Sequence, residues 1–156
     1  MPIQISILVI ALWIITIIGI SFLCKKYFPK KQELSRKIVH IGTGPVIILA
    51  WLFEIPKSIA FFSALLITIV LGINYQYRLL PAIEDIERKS FGTVAYGISI
   101  TLLLLIFWPH YASFISIGVL SMAFGDGLAG LIGKSINSPK WSVLDQSKSI
   151  AGTLTM

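Results

Sequence analysis

Asp126 is the residue most able to do chemistry, because it stands where a carboxylate is costly. It lies in Ser116 to Lys134 (SIGVLSMAFGDGLAGLIGK), a stretch otherwise uncharged up to its closing lysine and of about the 20 residues needed to cross a bilayer. An acid at the middle of such a helix costs about 2.5–3.5 kcal/mol, less near an end. It is therefore expected to face a polar cavity, a partner or a metal ion. Small residues surround it: Gly125, Gly127, Gly130 and Gly133, with Ala123 and Ala129. On a helix Gly125, Ala129 and Gly133 fall at i, i+4 and i+8, a stripe along which a second backbone can approach closely. Glycines flanking an acid also leave main-chain amides open to a ligand's oxygens. The simpler alternative is a packing seam with one acid near the membrane edge.

Three further segments carry groups that suit a phosphate-bearing ligand. Arg36, His40 and Gly44 fall at i, i+4 and i+8, with Thr43 on nearly the same face. Arg36 can grip phosphate bidentately, and an imidazole one turn deeper can bond an anion or carry a proton. The alternative is a basic anchor at the membrane surface beside a histidine satisfied by a neighbouring helix. Between Arg78 and Gly97, Glu84, Asp85 and Glu87 offer oxygens to a hard divalent cation, and Arg88 and Lys89 could meet phosphates. A solvated mixed-charge turn explains the same residues. Gly92 and Gly97 flank Tyr96 and suggest a tight approach there. Lys148 and Ser149 precede Ala151-Gly152-Thr153, a lysine, a hydroxyl and a glycine entering a helix whose first amides attract anions. It is not a Walker A loop, which needs glycines before the lysine, and no HExxH, dinucleotide-binding or protein-kinase signature is present. The combination matches a substrate with several phosphates plus Mg²⁺, and a greasy co-substrate arriving sideways from the bilayer.

The elements that must position these groups are transmembrane helices. The 156 residues are 56% hydrophobic and 13% charged, with a mean hydropathy of +0.87, whereas soluble chains carry about 25% charged residues. The expected fold is all-α, a polytopic helical membrane bundle forming one domain. Five complete spans are expected, near Ile3–Cys24, Ile38–Phe53, Ile59–Tyr75, Val94–Trp108 and Ala112–Gly133, and Ala151–Met156 resembles the opening of a sixth. That abrupt ending suggests a fragment with spans missing at the C-terminus. The net charge of +6 reads as topology rather than nucleic-acid binding. Loops 25–37, 76–93 and 134–149 carry 6, 3 and 3 basic residues, 12 of the 13, and Lys57 is the other. The positive-inside bias places these loops in the cytoplasm and the N-terminus outside. The single cysteine, Cys24, excludes an internal disulfide and a multi-cysteine metal site.

Four segments together resemble the CTP-dependent polyprenol kinases, a family of phytol, farnesol and dolichol kinases and CTP-type diacylglycerol kinases. They are SRKIVHIGTG (Ser35 to Gly44), IERKSFGTVAYG (Ile86 to Gly97), MAFGDGLAGLIGK (Met122 to Lys134) and KSIAGTLTM (Lys148 to Met156). The resemblance implies a membrane enzyme of lipid metabolism, in a bacterial inner membrane, that moves the γ-phosphate of CTP to a lipid alcohol with Mg²⁺. It implies that Asp126 holds Mg²⁺ or accepts the hydroxyl proton, that Glu87 is a second candidate metal ligand, and that Gly125 and Gly127 shape the turn. It implies a nucleotide pocket lined by Arg36, Lys37, His40, Glu87, Arg88, Gly92 and Lys134, with Lys148, Ser149 and Gly152 on the phosphates and Lys148 as a catalytic cation. Asn137 stands where a further glycine is expected. Two alternatives stay open. One is phosphatidate cytidylyltransferase, although paired aspartates near HGG are absent. The other is a small transporter or channel subunit using Asp126 and His40 as a proton relay.

Overall fold

The computed structural model describes residues 2–28, 32–77, 92–143 and 146–156. These form α1 (Ile3–Tyr27), α2 (Gln32–Thr43), α3 (Val46–Leu52), α4 (Lys57–Tyr77), α5 (Gly92–Phe107), α6 (Ala112–Ser135), a hairpin of β1 (Lys140–Val143) and β2 (Gln146–Ser149), and α7 (Ile150–Thr155). The protein is an all-α membrane protein apart from this small hairpin, which the sequence reading took as plain polar loop. Helices α1, α4 and α6 are each long and apolar enough to cross a bilayer. Helix α5 is apolar but has 16 residues, about 24 Å of rise.

The pattern of burial is that of a chain dissolved in lipid. Ile, Leu and Val along α1 are exposed, while Ser6 and Ser21 are fully buried. In water this would be unstable; in hydrocarbon the apolar side chains face the solvent and the polar ones turn to protein. Ser21 Oγ donates to the Ser35 carbonyl of α2 at 3.0 Å.

The expected second span is a broken helix. Pro45 has no N–H to continue the α2 ladder, and the Gly44 amide turns back to the Ile41 carbonyl at 3.2 Å. The break frees the Gly42 carbonyl, which accepts from Trp13 Nε1 of α1 at 2.9 Å. An indole from the neighbouring helix thus replaces the missing ladder bond.

Helix α6 is the hub, touching α2, α3, α5, α7 and β2. Helices α4 and α5 pair through Gly97, where an added Cβ would lie 2.8 Å from Thr68 Oγ1, and through a 3.0 Å bond between the Thr68 and Thr101 hydroxyls. An apolar core of Ile47, Ala50, Ile55, Leu104, Trp108, Ala112, Ile115 and Val119 ties α3, α5 and the start of α6 together. Ala112 and Asp126 are 14 residues apart on α6, about 21 Å along the axis, so this core anchors the end of the bundle away from the acid. Buried Trp108 donates Nε1–H to the Ile55 carbonyl at 2.9 Å. Trp108→Phe leaves that carbonyl bare, and a loss of about 1–3 kcal/mol is expected. Thermal unfolding in detergent should show the drop, and unchanged stability would refute the role of this bond.

Candidate functional site

Asp126 is joined to α2 by a buried lysine. Lys37 Nζ donates to Asp126 Oδ2 at 2.7 Å and to the Asp126 main-chain carbonyl at 2.8 Å. Gripping both groups of one residue fixes the carboxylate against its own helix. The Lys37 side chain is 8% exposed and that of Asp126 56%. Lys37 therefore has Asp126 as its counterion, because a buried ammonium without a partner is strongly disfavoured. Asp126 keeps its other oxygen available, which makes it the open member of the pair. His40 Nε2 lies 3.5 Å from the same Oδ2, and the charge of Arg36 acts on both groups.

Small residues permit this closeness. A Cβ at Gly127 would collide with the Ile41 side chain of α2, and one at Gly44 would lie 2.7 Å from Ala123 Cβ of α6. The two backbones therefore cross tightly beside the acid. The face that α2 turns to α6 runs through Lys37, Ile41 and Gly44, with His40 beside it. The spacing argument had chosen Arg36, His40 and Gly44, a face rotated by about one residue, because charge type alone does not distinguish Arg36 from Lys37.

The Gly125, Ala129 and Gly133 stripe is filled by α7. An added Cβ at Gly152 would lie 2.8 Å from the Ala129 carbonyl and 3.1 Å from Gly133 Cα, and Gly125 faces the Met156 carbonyl at 3.5 Å. Ser149 is buried and caps α7, its Oγ accepting the Gly152 amide at 3.1 Å. Ser149 and Gly152, expected on phosphates, are engaged here in capping and packing. Lys148 is exposed on β2, opposite Trp141 in the hairpin register, and it makes no ion pair with Asp126. Lys134 closes the last turn of α6, and Gly92 opens α5 at the surface. Glu87 and Arg88 lie outside the described residues. Among the described residues no cluster of three or more His, Cys, Asp or Glu could hold a metal ion. Among the described residues Asp126 is the carboxylate of this cluster.

One participant was missed as a site residue. Tyr96 of α5 lies against His40, ring centroids 4.4 Å apart and tilted by 51°. Its signal was the pair of flanking glycines, of which Gly97 does admit close packing, against α4.

No protein-family model and no solved structure matches the chain. Over its whole length it is 34% identical to a phytol kinase of Synechocystis, the alignment covering 67% of that protein. It is 30% identical to probable phytol kinase 3, chloroplastic, of Glycine max, over 80% of this chain and 42% of that protein. It is 29% identical to farnesol kinase, chloroplastic, of Arabidopsis thaliana, over 80% of this chain and 44% of that protein. The chain thus spans two thirds of the cyanobacterial relative and less than half of these plant ones. With Asp126, Lys37 and His40 brought together from two of the resembling segments, the chain belongs to the polyprenol kinase family.

Proposed function

We propose that this protein phosphorylates the hydroxyl group of a prenol such as phytol or farnesol, taking the γ-phosphate from CTP with Mg²⁺. The observation that carries the reading is the Lys37–Asp126–His40 cluster at the α2–α6 crossing, in a chain related to phytol and farnesol kinases. The donor set at Asp126 suits Mg²⁺, which is commonly held by one or two protein carboxylates with substrate phosphates and water completing its octahedron. Asp126 offers one carboxylate with an oxygen that Lys37 does not bind. Bound there, Mg²⁺ would neutralise charge on the transferring phosphoryl group. The protein's own contribution is positioning. Lys37 orients the carboxylate, Arg36 and Lys37 supply positive potential, and the tight α2–α6 crossing keeps the charged groups from drifting apart. Lys148 and Lys134 would meet the nucleotide phosphates.

The proposed topology has five crossings and the opening of a sixth, in a bacterial inner membrane. The α2–Pro45–α3 unit is the second crossing and α5 the fourth. The N-terminus lies outside and the site opens on the cytoplasmic face, following the bias of the basic loops.

The test is to give the full-length protein, in lipid nanodiscs, γ-labelled CTP and ATP with phytol, farnesol, dolichol and diacylglycerol. The expected result is label on phytol or farnesol and release of CDP. Label on no lipid refutes kinase activity. Pyrophosphate and CDP-diacylglycerol formed from phosphatidate would instead assign a cytidylyltransferase, and neither product with solute flux a transporter.

A further inference from the structure

Two polar atoms at this site are buried without a well-formed hydrogen bond: His40 Nε2 and the phenolic oxygen of Tyr96, which lies beside Thr43, a hydroxyl whose own proton goes to the His40 carbonyl at 3.0 Å. Buried polar atoms in folded proteins are nearly always satisfied, so an unsatisfied pair beside a candidate site asks for a ligand. The two rings touch, and they come from different helices, α2 and α5, with Asp126 of α6 completing the junction. Nε2 lies 3.5 Å from Asp126 Oδ2, close enough for electrostatic interaction and too far for a good hydrogen bond. Lys37 is directed to Asp126 instead, so it does not satisfy the imidazole.

The geometry points to the His40–Tyr96 pair as the subsite for the hydroxyl of the acceptor alcohol, an assignment that rests on the kinase reading above. The chemistry of the two atoms selects this ligand. A neutral imidazole nitrogen accepts a hydrogen bond and a phenol donates one, while a hydroxyl offers one donor and two acceptor lone pairs. An alcohol can therefore donate to Nε2 and accept from Tyr96 at once. A phosphate oxygen, acceptor only, would leave Nε2 bare and is better matched by Arg36 and Lys37. This moves His40 from the nucleotide, where the family resemblance had put it, to the lipid side. Helices α5 and α6 also present Ile98, Leu102, Phe124 and Leu128 outward, so a hydrocarbon tail can remain in the bilayer while its hydroxyl reaches the pair.

The step then balances. The alcohol oxygen attacks the terminal phosphorus of the nucleoside triphosphate and forms the new O–P bond. The bond from that phosphorus to the bridging oxygen breaks, and the nucleoside diphosphate leaves with the electron pair. The alcohol proton is released to water once the new O–P bond has formed, and until then its hydrogen bond to His40 Nε2 holds the attacking oxygen in line.

Full-length Tyr96→Phe and His40→Gln proteins in nanodiscs test this with phytol, farnesol and CTP. Tyr96→Phe keeps the ring contact and removes one hydroxyl. It should raise the prenol KM about fivefold, as loss of one neutral hydrogen bond predicts, and leave the CTP KM unchanged. Cross-linking of a diazirine-bearing farnesol analogue should fall in parallel, which a merely structural role for the hydroxyl would not produce. His40→Gln displaces the accepting atom and should lower kcat about 100-fold by misplacing the attacking oxygen, at unchanged CTP KM. An unchanged prenol KM in Tyr96→Phe, or a CTP KM that rises in its place, overturns the subsite, as does an unchanged kcat in His40→Gln. If wild-type protein is active and the variants behave so, the subsite alone falls. If wild-type protein phosphorylates no prenol, the kinase reading falls with it.

Discussion

Asp126→Asn should reduce prenol phosphorylation by at least about 100-fold, the scale seen when one preorganised electrostatic group is removed from an active site. The substitution keeps the shape of the side chain and removes its charge, so the helix crossing survives and the change falls on electrostatics. It also strands Lys37, 8% exposed and paired with this carboxylate. Breaking a buried pair from one side costs about 3–5 kcal/mol, an upper figure here because Asp126 itself is half-exposed. Thermal stability in detergent should therefore drop along with turnover. The two effects separate in a second variant. Adding Lys37→Met to Asp126→Asn removes the stranded charge and should restore stability without restoring activity. Turnover within about threefold of wild type in full-length Asp126→Asn protein would show that the phosphoryl-transfer site lies elsewhere, since a group contributing less than a factor of three is below that scale.

Gly127→Ala should have the second large effect, through packing rather than charge. A Cβ at this position collides with Ile41 of α2, and inserting a methyl group into a packed crossing costs about 1–3 kcal/mol. Because α2 also carries Lys37 and His40, pushing it away loosens both contacts to Asp126. Activity should fall more than stability alone explains. Ile41→Ala placed in the same protein should recover much of both, as a volume exchange across the contact. Gly118→Ala is the control, since an added Cβ there meets nothing within 4 Å. Equal behaviour of Gly127→Ala and Gly118→Ala would show that the α2–α6 crossing is looser than described.

Much of the scaffold was legible because its signals are local. An apolar run of about 20 residues spans a bilayer whatever its neighbours are, so α1, α4 and α6 lie close to their expected bounds. Asp126 and the small-residue stripe were legible for the same reason: an acid in an apolar run and glycines at i, i+4, i+8 are properties of one helix. The break at Pro45 was not read from the sequence, where one span over Ile38–Phe53 is expected, although a proline interrupts any helix ladder. The hairpin was missed because its strands are four residues long, with too little alternation to stand out from a polar loop.

What this chain's sequence determined by itself is therefore the medium it lives in, the approximate bounds of its long apolar helices, and the acid in an apolar run that needs a partner. The tertiary structure decided which partner that is. Lys37 rather than Arg36 meets Asp126 because α2 turns its Ile41 and Gly44 side into α6, where Gly127 and Ala123 leave room. Ser149 and Gly152 became a cap and a packing surface because α7 lies on the stripe. Tyr96 reached His40 from more than fifty positions along the chain. Spacing on one helix sets which residues share a face, but the rotation of each helix about its axis is set by close packing against its neighbours, and that rotation chose the members of the site.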